Sequence, residues 1–248
     1  METFIEYRQL HKSFGDKRVL QGVTLAVRRG ETIVILGGSG SGKSVLLKHT
    51  IGLMKPDSGR VLVDGEDITD HDEEQLISVR KKVGMLFQGG ALFDSMSVFE
   101  NVAFPLREHF HYQEEELDRR VREKLELVEM ETAVELRPSD LSGGMKKRVA
   151  LARSIAMEPA ALLYDEPTTG LDPVTASTIN EMIRNLQQRL KVTSIVVTHD
   201  ITSAFTVADR LAFLHEGVLS FVGSIEEARR SPDDRLRRFI SGGSHRAA

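Results

Sequence analysis

The apolar and polar positions divide the chain into three stretches, and the first of them predicts mainly strands. The run Ile33-Val34-Ile35-Leu36 is continuously apolar, which is typical of a strand buried on both faces of a parallel sheet. A glycine-rich loop follows this run, and a helix is predicted after the loop over residues 45–52. Other β-type runs, separated by turn dipeptides, predict strands over residues 4–10, 23–27 and 60–63.

The middle of the chain predicts helices. Apolar residues recur at helical spacing over residues 114–130, and three acidic residues stand in the first turn of that stretch. A second helix is predicted over residues 144–157, and it should end before Pro159.

The last third alternates between strands and helices. Strands are predicted over residues 161–164 and 193–198, and a hairpin is predicted from residues 211–214 to 218–222. Asp172-Pro173 has the chemistry of a helix N-cap followed by a proline at the first helical position. The helix that begins there should have one apolar face, made of Ile179, Met182, Ile183, Leu186 and Leu190. This order of elements predicts a parallel α/β core into which the helical middle is inserted.

Composition narrows the class of protein. The chain has 248 residues, of which 40% are hydrophobic and 28% charged, as in a globular protein. Its formal net charge of −4 argues against a dedicated nucleic-acid binder. The absence of cysteine excludes disulfides, thiolate metal sites and cysteine nucleophiles. No secretory signal and no run of roughly 18 apolar residues is evident, so a role at a membrane would need a partner.

The glycine-rich loop carries the strongest chemical signal. Its glycines let backbone N–H groups approach phosphate oxygens, and the helix that follows adds a partial positive charge at its N-terminus. Lys43 supplies a full positive charge for the β- and γ-phosphates, and Ser44 offers a hydroxyl group to Mg²⁺. The loop matches the pattern G-x-x-x-x-G-K-[ST] in full, as Gly37-Gly38-Ser39-Gly40-Ser41-Gly42-Lys43-Ser44.

A second signal stands at the end of the predicted strand over residues 161–164. Asp165 and Glu166 follow this apolar run directly, at the edge where open α/β sheets bind ligands. Asp165 can hold the Mg²⁺ shell, and Glu166 can orient or deprotonate the attacking water. Together, the loop and the two carboxylates indicate a nucleotide-hydrolysing or phosphoryl-transferring enzyme.

Between these motifs stands Leu141-Ser142-Gly143-Gly144-Met145, which resembles the signature of ABC ATPases, usually Leu-Ser-Gly-Gly-Gln. Gln88 resembles the glutamine of the family's Q-loop, Asp172 ends a stretch similar to its D-loop, and His199 resembles its switch histidine. By this ordered set of motifs, the chain is identified as a member of the ABC ATPase family, over residues 3–240. Met145 departs from the pattern, and because its thioether donates no hydrogen bond we expect it to pack.

The resemblance implies a fold, a site and a second copy of the chain. The fold is an α/β P-loop core with an N-terminal antiparallel β subdomain and a helical subdomain inserted over about residues 89–159. The cassette would cover residues 1–240, followed by a flexible tail over 241–248. Ser142 and its two glycines would close over the γ-phosphate held by another copy, in a head-to-tail dimer.

The residues implied to bind ATP are Phe14 against adenine, Gly37, Gly38, Ser39, Gly40, Ser41, Gly42, Lys43, Ser44, Val45, Gln88, Ser142, Gly143, Gly144, Asp165 and Asp172. Those implied in catalysis are Lys43, Gln88, Glu166 and His199, and those implied to hold Mg²⁺ are Ser44, Gln88 and Asp165.

A narrower resemblance concerns the substrate. The stretch that begins Gly84-Met85-Leu86-Phe87-Gln88, the Gly-Gly opening of the phosphate loop and the methionine in the signature are similar to the ATPases of bacterial Mla and Mce-type lipid transport systems. That resemblance implies phospholipid movement between inner membrane and cell envelope, from the cytoplasmic face of the inner membrane. Its implied partners are a multipass permease, an MCE-domain protein and a small STAS-domain subunit.

Alternatives remain open from the residues alone. The chain could serve an ABC importer or exporter of another substrate, or act without a membrane on ribosomes or DNA, or be a small-molecule kinase of the P-loop class. The apolar residues Ala91, Leu92, Phe93, Val98 and Phe99 could receive permease helices or simply pack the helical insertion.

Three groups of charged residues favour structural interpretations. His109 and His111 predict a solvated loop rather than a metal pair. Lys146, Lys147 and Arg148 predict an exposed helix face, and the arginines near residues 235–238 predict amphipathic packing.

Overall fold

The computed structural model describes residues 2–242, which form two compact units. One unit consists of the described residues up to Arg80 and from Thr193 onward, and the other of Lys81–Val192. In chain order the elements are β1 (Thr3–Phe14), β2 (Lys17–Arg28), β3 (Thr32–Leu36), α1 (Lys43–Thr50), β4 (Ser58–Val63), β5 (Glu66–Asp67), α2 (Glu73–Lys82), β6 (Val83–Leu86), α3 (Val98–His109), α4 (Glu114–Glu126), a 3₁₀ turn (Pro138–Asp140), α5 (Gly143–Ile155), β7 (Ala161–Asp165), α6 (Pro173–Leu190), β8 (Thr193–Thr198), α7 (Ile201–Val207), β9 (Arg210–His215), β10 (Val218–Gly223), α8 (Ile225–Arg229) and α9 (Asp234–Ile240).

The first unit contains an antiparallel sheet of four strands in the order β2-β1-β4-β5. Tyr7 on the central strand β1 pairs with Leu25 on one side and with Val61 on the other. These residues are buried, and alternate positions along the strands are exposed, because side chains of a strand point to opposite faces. The N-terminal antiparallel β subdomain is therefore confirmed.

The same unit contains the strands that carry the phosphate loop. β3 pairs in parallel with β8 and with β9, and β10 returns antiparallel to β9. Every residue of β3 and of β8 is buried, as their continuous apolar runs predict for strands covered on both faces. Leu36 pairs with Thr198, so the segments that follow the two strands leave from the same edge.

The second unit pairs β6 in parallel with β7 and adds four helices to them. Ser97 caps α3 by accepting a hydrogen bond from the backbone N–H of Glu100, whose carboxylate accepts the N–H of Ser97 in return. Helix α3 packs on α4 and α5, and α5 also packs on α6. Within residues 2–242, no helix is both long and apolar enough to cross a bilayer.

The structure confirms most predicted elements and corrects some of their bounds. The strand over 32–36, the strand over 193–198 and the C-terminal hairpin are confirmed. The helix predicted over 114–130 ends at Glu126, because Glu129 takes a left-handed φ of 56° and breaks the helical path. On the apolar face of α6, Ile179, Met182, Ile183 and Leu186 are buried, whereas Leu190, the last residue of that helix, is 39% exposed. The tail predicted from Ser241 lies almost wholly outside the described residues.

Candidate functional site

The phosphate loop runs from the end of β3 to the start of α1, and its glycines serve two different purposes. A Cβ on Gly37 would lie 2.4 Å from the carbonyl oxygen of Leu214, so the close approach of the hairpin requires glycine there. Gly42 caps α1 with φ of 105°, which an L-amino acid adopts only with strain. Gly38 and Gly40 instead face open space, with nothing within 4 Å of where a Cβ would be. That open backbone is where a phosphate group can approach main-chain N–H groups.

Lys43 is the first residue of α1, and its ammonium group turns back into the loop. Its Nζ donates to the carbonyl oxygens of Gly37, at 2.9 Å, and Gly38, at 3.0 Å, and the residue is only 5% exposed. Ser44 and Val45, the next two residues of the helix, are half-buried. The loop therefore holds a buried positive charge at a helix N-terminus, which is an anion-binding arrangement.

Two further predicted residues belong to the same unit. His199 is exposed directly after β8, at the edge from which the phosphate loop also leaves. The next residue, Asp200, caps α7 by accepting the backbone N–H groups of Thr202 and Ser203, which fixes the turn that carries His199. Phe14, the last residue of β1, exposes 48% of its surface. An exposed flat ring of this kind can stack on a nucleobase.

In the second unit, β7 delivers two buried carboxylates. Asp165 and Glu166 are 6% and 8% exposed. Glu166 has a φ of 48°, a left-handed conformation that is unfavourable for a residue with a Cβ, and the hydroxyl of Thr169 donates to its Oε2 at 3.2 Å. Gln88 is exposed two residues beyond β6, whose last residue pairs with Tyr164 of β7. The glutamine and the two acids therefore leave the same edge of neighbouring strands.

The signature residues begin α5. Ser142 is the N-cap and accepts the backbone N–H of Met145 at 3.3 Å, while Ser142 and Gly143 remain exposed. Gly144 is buried against α6, where a Cβ would lie 2.5 Å from the Cγ2 methyl of Thr175. The second glycine of the signature is thus required by helix packing, and the first is open to a ligand.

Asp172 fixes the start of α6. Its carboxylate accepts the backbone N–H groups of Val174 and Thr175, each at 3.0 Å, and the Thr175 hydroxyl at 2.5 Å. The hydrogen bond from the Thr175 side chain is the main reason that the pKa of Asp172 lies below its ordinary value. The predicted ligand residue is therefore held ionised as a helix cap.

The structure overturns one interpretation of the charged residues. Lys147 was predicted on an exposed helix face, but it is only 6% exposed, and its Nζ donates to the main-chain carbonyl oxygen of Gln88. Helical spacing could have predicted the burial of Lys147, because it lies three residues after buried Gly144 and four before buried Leu151, on the same face of α5. Sequence reasoning therefore missed a buried cation next to a predicted site residue.

The remaining interpretations divide. His109 is the last residue of α3, so the loop predicted for it is wrong, whereas His111 is exposed in the loop that follows this helix. Of the apolar stretch after Gln88, Val98 is buried as the first residue of α3, whereas Ala91 and Phe93 are exposed. Packing of the helical insertion therefore explains Val98, and it does not explain Ala91 or Phe93.

The donor atoms fit nucleotide and Mg²⁺. The hydroxyl of Ser44 and the carboxylate of Asp165 are hard oxygen ligands, and Mg²⁺ commonly takes only one or two ligands from protein beside phosphate oxygens and water. The parallel α/β strands, the phosphate loop and the acidic strand end define the class of protein as a P-loop ATPase.

Comparison with known proteins makes the assignment specific. The family profile of the ABC transporter matches residues 20–169. The chain is 41% identical to the intermembrane phospholipid transport ATP-binding protein MlaF of Haemophilus influenzae, over 98% of this chain and 92% of MlaF. It is also 41% identical to the probable ribonucleotide transport ATP-binding protein mkl of Mycobacterium leprae, over 98% of this chain and 70% of mkl. The ATP-binding cassette MJ0796, solved as a dimer bound to ADP and Pi, superposes with a TM-score of 0.82 at 33% identity and covers 89% of this chain and 98% of its own.

The chain belongs to the ABC transporter family. It is an ATP-binding cassette whose hydrolysis of ATP is coupled to transport.

Proposed function

We propose that two copies of this chain hydrolyse Mg-ATP between them and so drive the transport of a phospholipid or related lipid. The proposal that two copies share the hydrolysis rests on the exposure of Ser142 and Gly143 at the start of a 13-residue helix. A helix N-terminus attracts anions, and these residues resemble the family's contact to a nucleotide held by another copy. The dimeric structure of MJ0796 supports this arrangement.

The proposed roles follow from chemistry and from the family. Lys43 binds the β- and γ-phosphates, and the open backbone at Gly38 and Gly40 donates further hydrogen bonds. Ser44 and Asp165, with Gln88, would hold Mg²⁺, which when bound neutralises charge on the phosphate oxygens. Glu166 orients the attacking water and accepts its proton, and His199 contacts the γ-phosphate.

Closure of the dimer would exclude water and strengthen each contact to the phosphates. ADP lacks the γ-phosphate that joins the two copies, so hydrolysis favours opening. Nucleotide binding thereby does mechanical work, since the ligand prefers the closed state.

Blocking hydrolysis tests this dimer. Glu166→Gln should keep ATP bound, and the molar mass measured by light scattering should double with ATP but not with ADP. Adding Ser142→Arg to that variant should keep it monomeric, because the bulky side chain would stand where the other copy's phosphate enters. A Glu166→Gln chain that stays monomeric at saturating ATP would contradict the proposal.

The lipid assignment needs its own test, because MlaF and mkl are equally identical to this chain and carry different substrate names. The stretch around Gln88 and the signature methionine favour the lipid. We propose a multipass permease, an MCE-domain protein and a STAS-domain subunit as partners, at the cytoplasmic face of the inner membrane.

The tagged chain, purified from detergent-solubilised native membranes, should bring a polytopic protein and phospholipid with it. ATPase activity of that complex should rise with phospholipid and not with ribonucleotides, and the reverse response would favour ribonucleotide transport.

A further inference from the structure

Lys147 is buried on α5, where a charged side chain is costly unless it has partners. Its ammonium group donates to the main-chain carbonyl oxygen of Gln88. A single neutral carbonyl does not replace the hydration of an ammonium ion. Burial lowers the pKa of Lys147, and the charges of Asp165 and Glu166 act in the opposite direction. The lysine thus lies within electrostatic reach of both carboxylates and in contact with the backbone of the predicted glutamine ligand.

A second cation of α5 binds the same stretch of chain, which we call the Gln88 segment (residues 87–91). The guanidinium of Arg153 donates to the carbonyl oxygen of Gly90 at 2.8 Å, and it lies 5.6 Å from the ring centroid of Phe93. Lys147 and Arg153 are six residues apart, so they contact the segment at two points. One helix therefore holds the Gln88 segment at two main-chain carbonyl oxygens, those of Gln88 and Gly90.

The backbone of the Gln88 segment is irregular and depends on such contacts. Gly90 and Ala91 both have positive φ, of 76° and 50°, and the N–H of Gly90 closes a turn onto the carbonyl of Phe87 at 2.8 Å. Gln88 and Gly89 are exposed. A turn of this kind has few side chains to hold it in one conformation, so the bond from Lys147 limits where the Gln88 side chain can point.

We propose that Lys147 is a positioning residue for ATP hydrolysis, which ties the Gln88 segment to α5 so that Gln88 moves together with the helix that Ser142 begins. The inference rests on the proposed role of Gln88 at the nucleotide. It adds a link within one copy of the chain: a displacement of the signature helix is transmitted to Gln88 through the ammonium group.

The test is steady-state ATPase kinetics of the full chain carrying Lys147→Met. Methionine keeps the length of the apolar stem but lacks the donor and the charge. We expect kcat to fall about tenfold, as for the loss of one charged hydrogen bond, with KM for ATP unchanged because the phosphate loop is intact. Lys146→Met is the matched control, since the neighbouring lysine is half-buried and should leave both constants unchanged. If Lys147→Met proves unstable, Lys147→Leu also lacks a donor and should lower kcat to a similar extent. Lys147→Gln retains an N–H donor for the carbonyl oxygen of Gln88 and should keep most of the native kcat.

A double-mutant cycle separates this inference from the proposed role of Gln88. Lys147→Met should have little further effect in a Gln88→Ala background, since both changes remove the same positioned side chain. Normal kcat in Lys147→Met, or a loss that is fully additive with that of Gln88→Ala, would overturn the inference. Normal kcat in Gln88→Ala alone would reject the proposed role of Gln88 instead. Amide exchange in the Gln88 segment gives an independent readout: it should accelerate in Lys147→Met while exchange in β7 stays slow.

Discussion

The phosphate loop and the acidic strand end both stand at the end of five-residue strands that are buried throughout, yet they differ in which residues take a left-handed φ and in which chemical groups they offer. In the loop, main-chain N–H groups are proposed to bind phosphate together with Lys43, and the residues that take left-handed φ are glycines, as at Gly40 and Gly42. At the acidic end a side chain is proposed to do the chemistry, and Glu166 takes a left-handed φ of 48° although it is not glycine. Glycine would relieve that strain but could not supply a carboxylate. Backbone strain is therefore tolerated where a functional group is needed.

The largest expected effect is on the rate of hydrolysis at the acidic end. Glu166→Gln removes the proton acceptor while keeping the shape of the side chain, so kcat should fall by roughly 10²-fold or more. ATP affinity should stay close to that of the native chain, as measured by nucleotide titration. The control is Glu181→Gln on the exposed side of α6, which should leave the rate unchanged. Retention of normal turnover by Glu166→Gln would remove this residue from the mechanism.

The next largest effect is expected on the affinity for ATP, and it arises in the phosphate loop. Lys43→Ala removes the buried ammonium group, and the loss of a charged hydrogen bond to phosphate should weaken ATP binding by about 10- to 100-fold. Lys48→Ala, five residues further along the same helix and half-buried, provides the matched control. Isothermal titration with ATP measures both variants. Equal affinity in Lys43→Ala and the native chain would contradict the assignment of the loop.

A smaller effect is expected on the free energy of unfolding. It distinguishes the loop glycine that packs against the hairpin from the one that faces open space. Gly37→Ala should destabilise the fold by about 1–3 kcal/mol, because its Cβ would meet the carbonyl oxygen of Leu214. Gly38→Ala places its Cβ in open space and should leave the free energy of unfolding nearly unchanged, while it impedes ATP binding. Urea denaturation without nucleotide measures the difference. Similar stabilities for the two variants would show that the hairpin does not constrain the loop.

The smallest expected effect is on the free energy of unfolding, and it arises from the backbone strain at Glu166. Glu166→Gly should raise the free energy of unfolding by about 1 kcal/mol while abolishing hydrolysis, because glycine adopts positive φ without a steric penalty. Lys191→Gly, at the left-handed C-cap of α6, should give a similar gain without loss of activity. A less stable Glu166→Gly chain would mean that contacts of the side chain, such as the bond from Thr169, outweigh the backbone strain.

The same contrast explains what could be predicted from sequence. The loop and β3 were predictable because glycine spacing and a continuous apolar run are local signals. Helix α2 was missed, since only Leu76 and Val79 are buried in its ten residues and its pattern is correspondingly weak. Helix α3 was missed although Ser97 and Glu100 form a capping box, because the apolar stretch after Gln88 was interpreted as a loop region.

Side-chain partners were harder to predict than elements. Lys147 was assigned to solvent because a run of basic residues usually covers an exposed face. Its true partners, the carbonyl of Gln88 and the charges of Asp165 and Glu166, lie far away in sequence. No local pattern encodes such a contact.

The central claim is that the loop determines how tightly ATP binds and the acidic end determines how fast it is cleaved. The most direct measurement is the ATPase rate of Lys43→Ala and Glu166→Gln over a wide range of ATP concentrations, with both variants in the same experiment. We predict that the Lys43→Ala defect is carried largely by KM and decreases as ATP is raised, whereas the Glu166→Gln defect persists at saturation. If saturating ATP restored the rate of Glu166→Gln, or if the two variants divided their losses between KM and kcat in the same way, the claim would be contradicted.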